Sequence, residues 1–170
     1  MLRQSLALLI LLTAACTDPD GDDGSTSEAT AADESGGGVD VPTGQAALSP
    51  WLMAENYAGW AAESAVHAAT GTSPHGMVRT FFDDVLVASF EAGNTEHTVG
   101  SASVKELYDA GGTRVGWAVM VKTAAGTDAS NWYWYLESNG SASTDANGAG
   151  LCEGCHAPGV DRVLTPYPLQ

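Results

Sequence analysis

Apolar and polar positions alternate through the second half of the chain. Residues 77–90, 102–108, 114–123 and 131–137 are rich in Val, Phe, Tyr and Trp. They are separated by Asp83-Asp84, Gly111-Gly112, Ala125-Gly126-Thr127-Asp128 and Ser138-Asn139-Gly140. Such runs between turn-forming clusters predict an antiparallel meander of four or five strands. Within 114–123 the two-residue period sets Val115, Trp117, Val119 and Val121 on one face, and Gly116, Ala118, Met120 and Lys122 on the other. The same period puts Arg79 in phase with Phe81, and Lys105 with Leu107. Bases so placed ordinarily snorkel to water. Upstream, Ser49-Pro50 has the form of a helix start, and residues 51–66 are helix-compatible apart from Gly59. Trp51, Tyr57 and Trp60 fall at the spacing of a helix packed on a sheet. The expected fold class is α+β, mainly β.

The pattern ahead of this region is different. One base, Arg3, precedes the apolar run Leu6-Ala7-Leu8-Leu9-Ile10-Leu11-Leu12, and Thr13-Ala14-Ala15-Cys16 follows it. That run rises only about 10 Å as a helix against a hydrocarbon core of roughly 30 Å, so it reads as a signal h-region rather than a span. Small residues before a cysteine resemble a bacterial lipoprotein signal over 1–15, with Cys16 lipidated as the first mature residue. Thr13 stands where that motif usually has Leu. Simple secretion and an uncleaved anchor are the alternatives. Each of them exports the domain, and lipidation gives a periplasmic protein tied to a membrane only through its lipid.

Composition then divides the 170 residues. The formal net charge is −15, from 21 acids and 6 bases. Eight of the acids (Asp18, Asp20, Asp22, Asp23, Glu28, Asp33, Glu34, Asp40) lie in 16–45, a stretch with no base and no aromatic. Such a segment cannot bury enough surface to offset its ordering entropy, and reads as a self-repelling tether. Asp18, Asp20 and Asp22 alternate as in a calcium loop, but the closing Glu and the flanking helices are missing. Residues 46–170, with thirteen acids and five bases, are one domain's worth of chain. Acidity on this scale excludes nucleic acid as a partner, and excludes electrostatic docking on anionic lipid.

The sharpest chemical signal is Cys152-Glu153-Gly154-Cys155-His156 near the carboxy terminus. Two thiols at this spacing reach the two vinyl groups of one haem as thioethers, and the adjacent imidazole becomes the proximal iron ligand. Export agrees, since c-type haem is attached outside the cytoplasm. So does the count of 3 cysteines, which leaves none for a structural disulfide once Cys16 is assigned. Two other chemistries use such a pair. Zinc would need further ligands, for which His67, His75 and His97 are the sources. A thioredoxin-type disulfide would need a preceding βαβ unit, and none is visible. Only 14 residues follow His156, and Met53, Met77 and Met120 all precede the motif. That is unlike a small carrier cytochrome c, whose methionine ligand follows the attachment site. The β-rich pattern also rules out the four-helix bundle of cytochromes c′. The haem would sit on a sheet.

Most of residues 51–165 resembles cytochrome P-460 and its relative cytochrome c′-beta. The likeness runs through Pro74-His75-Gly76-Met77-Val78-Arg79, Ser103-Val104-Lys105-Glu106-Leu107-Tyr108 and Val119-Met120-Val121-Lys122. It continues through Asn131-Trp132-Tyr133-Trp134-Tyr135, the Cys152 to His156 motif with Ala157, and Asp161-Arg162-Val163-Leu164-Thr165. It implies a small antiparallel sheet with flanking helices, usually dimeric, holding one haem c per chain. In active members of that family a lysine bonded to the macrocycle serves oxidation of hydroxylamine to nitrogen oxides. The c′-beta members lack the crosslink and bind gases such as nitric oxide. By position Lys105 matches the crosslinking lysine, which favours a haem-side place over a snorkelling one. Arg79 matches the pocket arginine, His156 the proximal ligand, and Cys152 and Cys155 the thioether anchors. Phe81, in phase with Arg79, would wall the distal pocket. A pocket carboxylate on a later strand is also implied, yet 132–136 is aromatic or apolar, with Glu137 at its end.

Three functions follow. The first is a hydroxylamine oxidoreductase passing electrons to an exported redox partner. The second is a non-catalytic gas-binding cytochrome with an apolar pocket, and the third an electron carrier with Met120 as sixth ligand. Trp51, Tyr57 and Trp60 read as core, His67 and His97 as surface residues, and His75 as structural.

Overall fold

The computed structural model describes residues 40–70 and 73–170. The signal segment, Cys16 and most of the acidic tether lie outside the described residues. Among the described residues three α-helices and seven strands follow in the order α1 (Gln45–Met53), β1 (Ala61–Ala62), β2 (His67–Ala68), β3 (Met77–Phe82), α2 (Asp84–Glu91), β4 (Ala102–Tyr108), β5 (Arg114–Lys122), β6 (Trp132–Ser138), β7 (Ser141–Asn147) and α3 (Gly150–His156). All strands join one antiparallel sheet, with spatial order β1-β3-β4-β5-β6-β7 and β2 also pairing with β3. The fold is α+β and mainly β, with more strands than the four or five expected. The additions are the two-residue β1 and β2 and the polar edge strand β7, Ser-Ala-Ser-Thr-Asp-Ala-Asn, which has no hydrophobic alternation to betray it.

Two other expectations change. The helix expected from Ser49-Pro50 begins at Gln45 behind Gly44 and ends at Met53, with Pro50 inside it. Val41, expected in the tether, is buried in the core. Residues 85–90, read as strand-like, form α2 instead. The Asp83 carboxylate decides this, since Oδ1 accepts the Leu86 N–H at 2.8 Å as an N-cap and the Ala102 N–H at 2.9 Å from β4. The cap ends β3 and starts the helix in one residue.

Each face of the sheet carries its own apolar cluster. On one face Phe81, Val104, Trp117, Val119, Val121, Tyr133 and Tyr135 pack under Leu48 and Leu52 of α1, with Tyr57, Trp51 and Trp60 alongside. On the other, Phe82, Met120, Trp132 and Trp134 meet Leu86 and Phe90 of α2 and the carboxy-terminal segment at Val163, Tyr167 and Leu169. The alternation read along β5 is therefore the division between the two clusters. Among the described residues no helix is long and apolar enough to cross a membrane.

Candidate functional site

The Cys-Glu-Gly-Cys-His motif makes up most of α3, and Cys152 packs it on the second face of the sheet. His156 stands edge-on to Trp134 of β6, with ring centroids 4.9 Å apart. Its Nδ1 lies 2.8 Å from the Arg162 carbonyl oxygen. With the ring N–H donated there, Nε2 is the nitrogen left for another partner. The carbonyl is aimed by a turn in which Asp161 and Arg162 both have positive φ, 41° and 73°.

This turn is fastened to the sheet from below. Lys122 and Asp161 form an ion pair at 2.6 Å in which both side chains are fully excluded from solvent. Asp161 Oδ2 also accepts the His97 N–H at 2.8 Å, and Oδ1 accepts the Trp132 indole N–H at 3.2 Å. His97 is therefore a buried residue, not a surface one. It is 2 % exposed, with Nδ1 at 3.0 Å from Ser89 Oγ, and burial lowers its pKa.

Beside α3 opens a cavity of about 830 Å³. Its wall includes Cys155 and His156, Val78 and Thr80 of β3, Lys105 of β4, and Glu63, His67 and His75 from the segments ahead of β3. Lys105 pairs in register with Thr80, so both side chains leave the sheet on the same side. Burial lowers the pKa of Lys105, with the charge of Glu63 acting in the opposite sense. His75 falls to about 4, chiefly through burial and then through Lys105 and His156, which makes it a neutral imidazole at neutral pH. Burial likewise lowers His156, against the effect of the Arg162 carbonyl.

The structure brings together some of the expected site residues and separates others. Lys105, Cys155 and His156 share the cavity wall. Cys152, one turn earlier on α3, packs against the second apolar cluster. Its thiol faces Thr144, and burial raises its pKa. Both thiols are free. Arg79 and Phe81 are not on the cavity wall. Since Val78 and Thr80 face the cavity, the alternate positions Arg79 and Phe81 must face the other way. Phe81 packs edge-on to Tyr57 in the first cluster, 5.0 Å between centroids. Arg79 lies over the Phe81 ring at 5.0 Å and donates from Nε to the Glu63 carbonyl at 2.8 Å. Met120, the conceivable sixth ligand of a carrier, is enclosed in the second cluster away from the cavity.

Glu63 was not visible in the sequence as a site residue. Among the described residues of the cavity wall it is the one acidic side chain, 7 % exposed. Its Oε2 accepts the Thr80 backbone N–H at 2.6 Å and lies 3.0 Å from His67 Nε2. The only sequence sign of it was the four-residue spacing to His67.

Cys155 and His156 on the cavity wall fit a covalently attached haem, whereas Cys152 packs against the second apolar cluster and would have to turn toward the cavity to form its thioether. The thiols are unpaired, the histidine is oriented with one nitrogen free, and a large cavity opens beside it. Among the described residues no group of three or more His, Cys, Asp or Glu side chains is placed to hold a metal ion by itself. No protein-family model, curated protein or solved structure matches the chain.

Proposed function

We propose that the protein is an exported mono-haem c-type cytochrome that oxidises hydroxylamine to nitrogen oxides and passes the electrons to an exported acceptor. The observation that carries this reading is His156, held through Nδ1 by the Arg162 carbonyl at the wall of a large cavity that Cys155 shares. Cys152 and Cys155 would hold the group as thioethers, and His156 would be the proximal ligand. A haem bound there would supply an iron able to take a small nitrogenous ligand and a route for its electrons.

The rest is the work of the chain's own residues. The Lys122–Asp161 pair anchors the turn that presents the Arg162 carbonyl, which holds the proximal imidazole in one tautomer. Lys105, partly buried and with a lowered pKa, is the residue the resemblance would join to the macrocycle. Polar side chains on the wall favour hydroxylamine over nitric oxide. The gas-binding reading relied on Phe81 lining an apolar pocket, and Phe81 lies on the opposite face.

The reading is tested by exporting the full chain in a host competent for c-type maturation. The intact mass should be that of the chain plus one haem, and peptide mapping should find Lys105 joined to it. Lys105→Leu should abolish hydroxylamine turnover while leaving the haem attached. A chain that matures without haem overturns the proposal, and a normal c-type ferrous spectrum overturns the crosslink.

A further inference from the structure

We propose that haem is attached to this chain in two stages: the Cys155 thiol adds first, and Cys152 follows only after the first turn of α3 has swung off the second apolar cluster. The inference rests on the haem reading above, and concerns how these residues receive the group rather than what it does afterwards.

The two thiols are presented differently. Cys155 is exposed and stands on the cavity wall beside His156. Cys152 is half-buried and lies with Ala149 against the second apolar cluster, its thiol facing Thr144 of β7, a residue 9 % exposed. Three residues along an α-helix return to within about 60° of the starting direction, so the two cysteines share one side of α3. That side straddles the border between cluster and cavity. His156 touches both, standing edge-on to Trp134 of the cluster and on the cavity wall. A thioether from Cys152 needs its sulfur on the cavity side of this border, and the structure holds it on the other.

The two ends of α3 are also held unequally. At the carboxy end His156 Nδ1 lies 2.8 Å from the Arg162 carbonyl oxygen, next to the Asp161 that Lys122 pairs with. At the amino end the N-cap, Ala149, makes no side-chain hydrogen bond, and the helix is seven residues long, contains Gly150 and Gly154, and has no buried residue. Glycine costs a helix about 1 kcal/mol relative to alanine, and so short a helix is marginal without packing. The first turn of α3 is therefore the part free to move, and the His156 end is its pivot.

The order follows from this asymmetry. Cys155 can meet a vinyl group with no change in α3. Its S–H adds across the vinyl double bond: the π bond breaks, sulfur bonds to the carbon next to the ring, and the proton ends on the terminal carbon. No oxidant or reductant is consumed. Once this thioether is made, the second addition is intramolecular, and its high effective concentration offsets the contacts that Cys152 gives up. Cys152 then adds by the same chemistry.

The test uses the full-length chain produced free of haem. The folded chain is labelled with N-ethylmaleimide, and each cysteine's rate, read by peptide mass, is divided by its rate in guanidinium chloride. Cys152 should be protected at least about tenfold more than Cys155. Ferrous haem with a reductant is then added to the natural chain, to Cys152→Ala and to Cys155→Ala, and covalent haem is followed by intact mass. Cys152→Ala should gain haem within about twofold of the natural chain's first addition, and Cys155→Ala at least about tenfold more slowly. Equal protection of the two thiols, or equal attachment in the two variants, overturns the staged order while haem attachment still stands. A natural chain that carries no covalent haem after export through a maturation-competent host overturns the underlying reading instead.

Discussion

Single residues carry much of the physical argument. A lysine and an aspartate sealed from water together are stable only as a pair, so Lys122→Met should cost about 3–5 kcal/mol by leaving Asp161 charged and buried. Urea unfolding measures this. The cap residue Asp83 behaves differently. Burial raises its pKa to about 6 from 3.8, although two backbone N–H groups donate to it. Its folded-state pKa is above the unfolded one, so its contribution to stability is full below about 4 and is lost as pH rises through about 6. Asp83→Asn keeps both acceptor bonds and removes the titration. Its stability between pH 4 and 7 should be flatter than that of the natural chain, by up to about 3 kcal/mol. At the candidate site, His67 is raised above its usual 6.5, first by the Ala68 carbonyl and then by Glu63, with Lys105 of β4 opposing. Below that pKa the imidazolium pairs with the Glu63 carboxylate at 3.0 Å, a stabilising contact that weakens as the ring loses its proton. The natural chain should therefore lose stability relative to His67→Gln as pH rises through that pKa, read by urea unfolding at a series of pH values.

Between strands, backbone proximity sets limits that side-chain patterns do not express. Gly116 of β5 lies opposite Ser138 of β6, and a Cβ there would come 1.9 Å from the Glu137 carbonyl oxygen. The two strands could not keep their spacing. Gly116→Ala should lower stability by at least about 2 kcal/mol, read by thermal or urea unfolding. The central strands were legible because their faces alternate. Ala102–Tyr108 has the expected bounds, β5 ends one residue earlier than expected, and β6 is shifted by one residue at both ends. The elements that were not legible depend on partners. β7 is held by pairing with β6 despite its polar composition, and α2 owes its start to a carboxylate shared with β4. Glu106 on β4 is a similar case. Burial pushes its pKa up, and hydrogen bonds from Tyr108, Tyr57 and Arg114 outweigh that and bring it down. Those donors come from three separate segments.

At the scale of the whole molecule, the tether and the folded part separate the charge into two portions. Residues 46–170 retain thirteen acids against five bases, and two of those bases, Lys122 and Lys105, face the interior or the cavity. The surface field of these residues is therefore negative, and an electron acceptor of the kind proposed above should be positively charged to dock on it. Its association rate should fall steeply as salt is raised from about 10 to 150 mM, measured by stopped flow. What the amino-acid sequence determined by itself was local. It set the spacing of Cys152, Cys155 and His156, the period-two faces of the central strands, and the low apolar content of the acidic segment. Spacing within a few residues and side-chain chemistry suffice for these. Only tertiary structure decided which face of the sheet holds the cavity. That single choice brings Lys105 and Thr80 to its wall, turns Arg79 and Phe81 away, and joins Glu63 to a histidine motif more than ninety residues distant. A strand pattern distinguishes two faces but does not say what packs on each, because that depends on segments far apart in the chain.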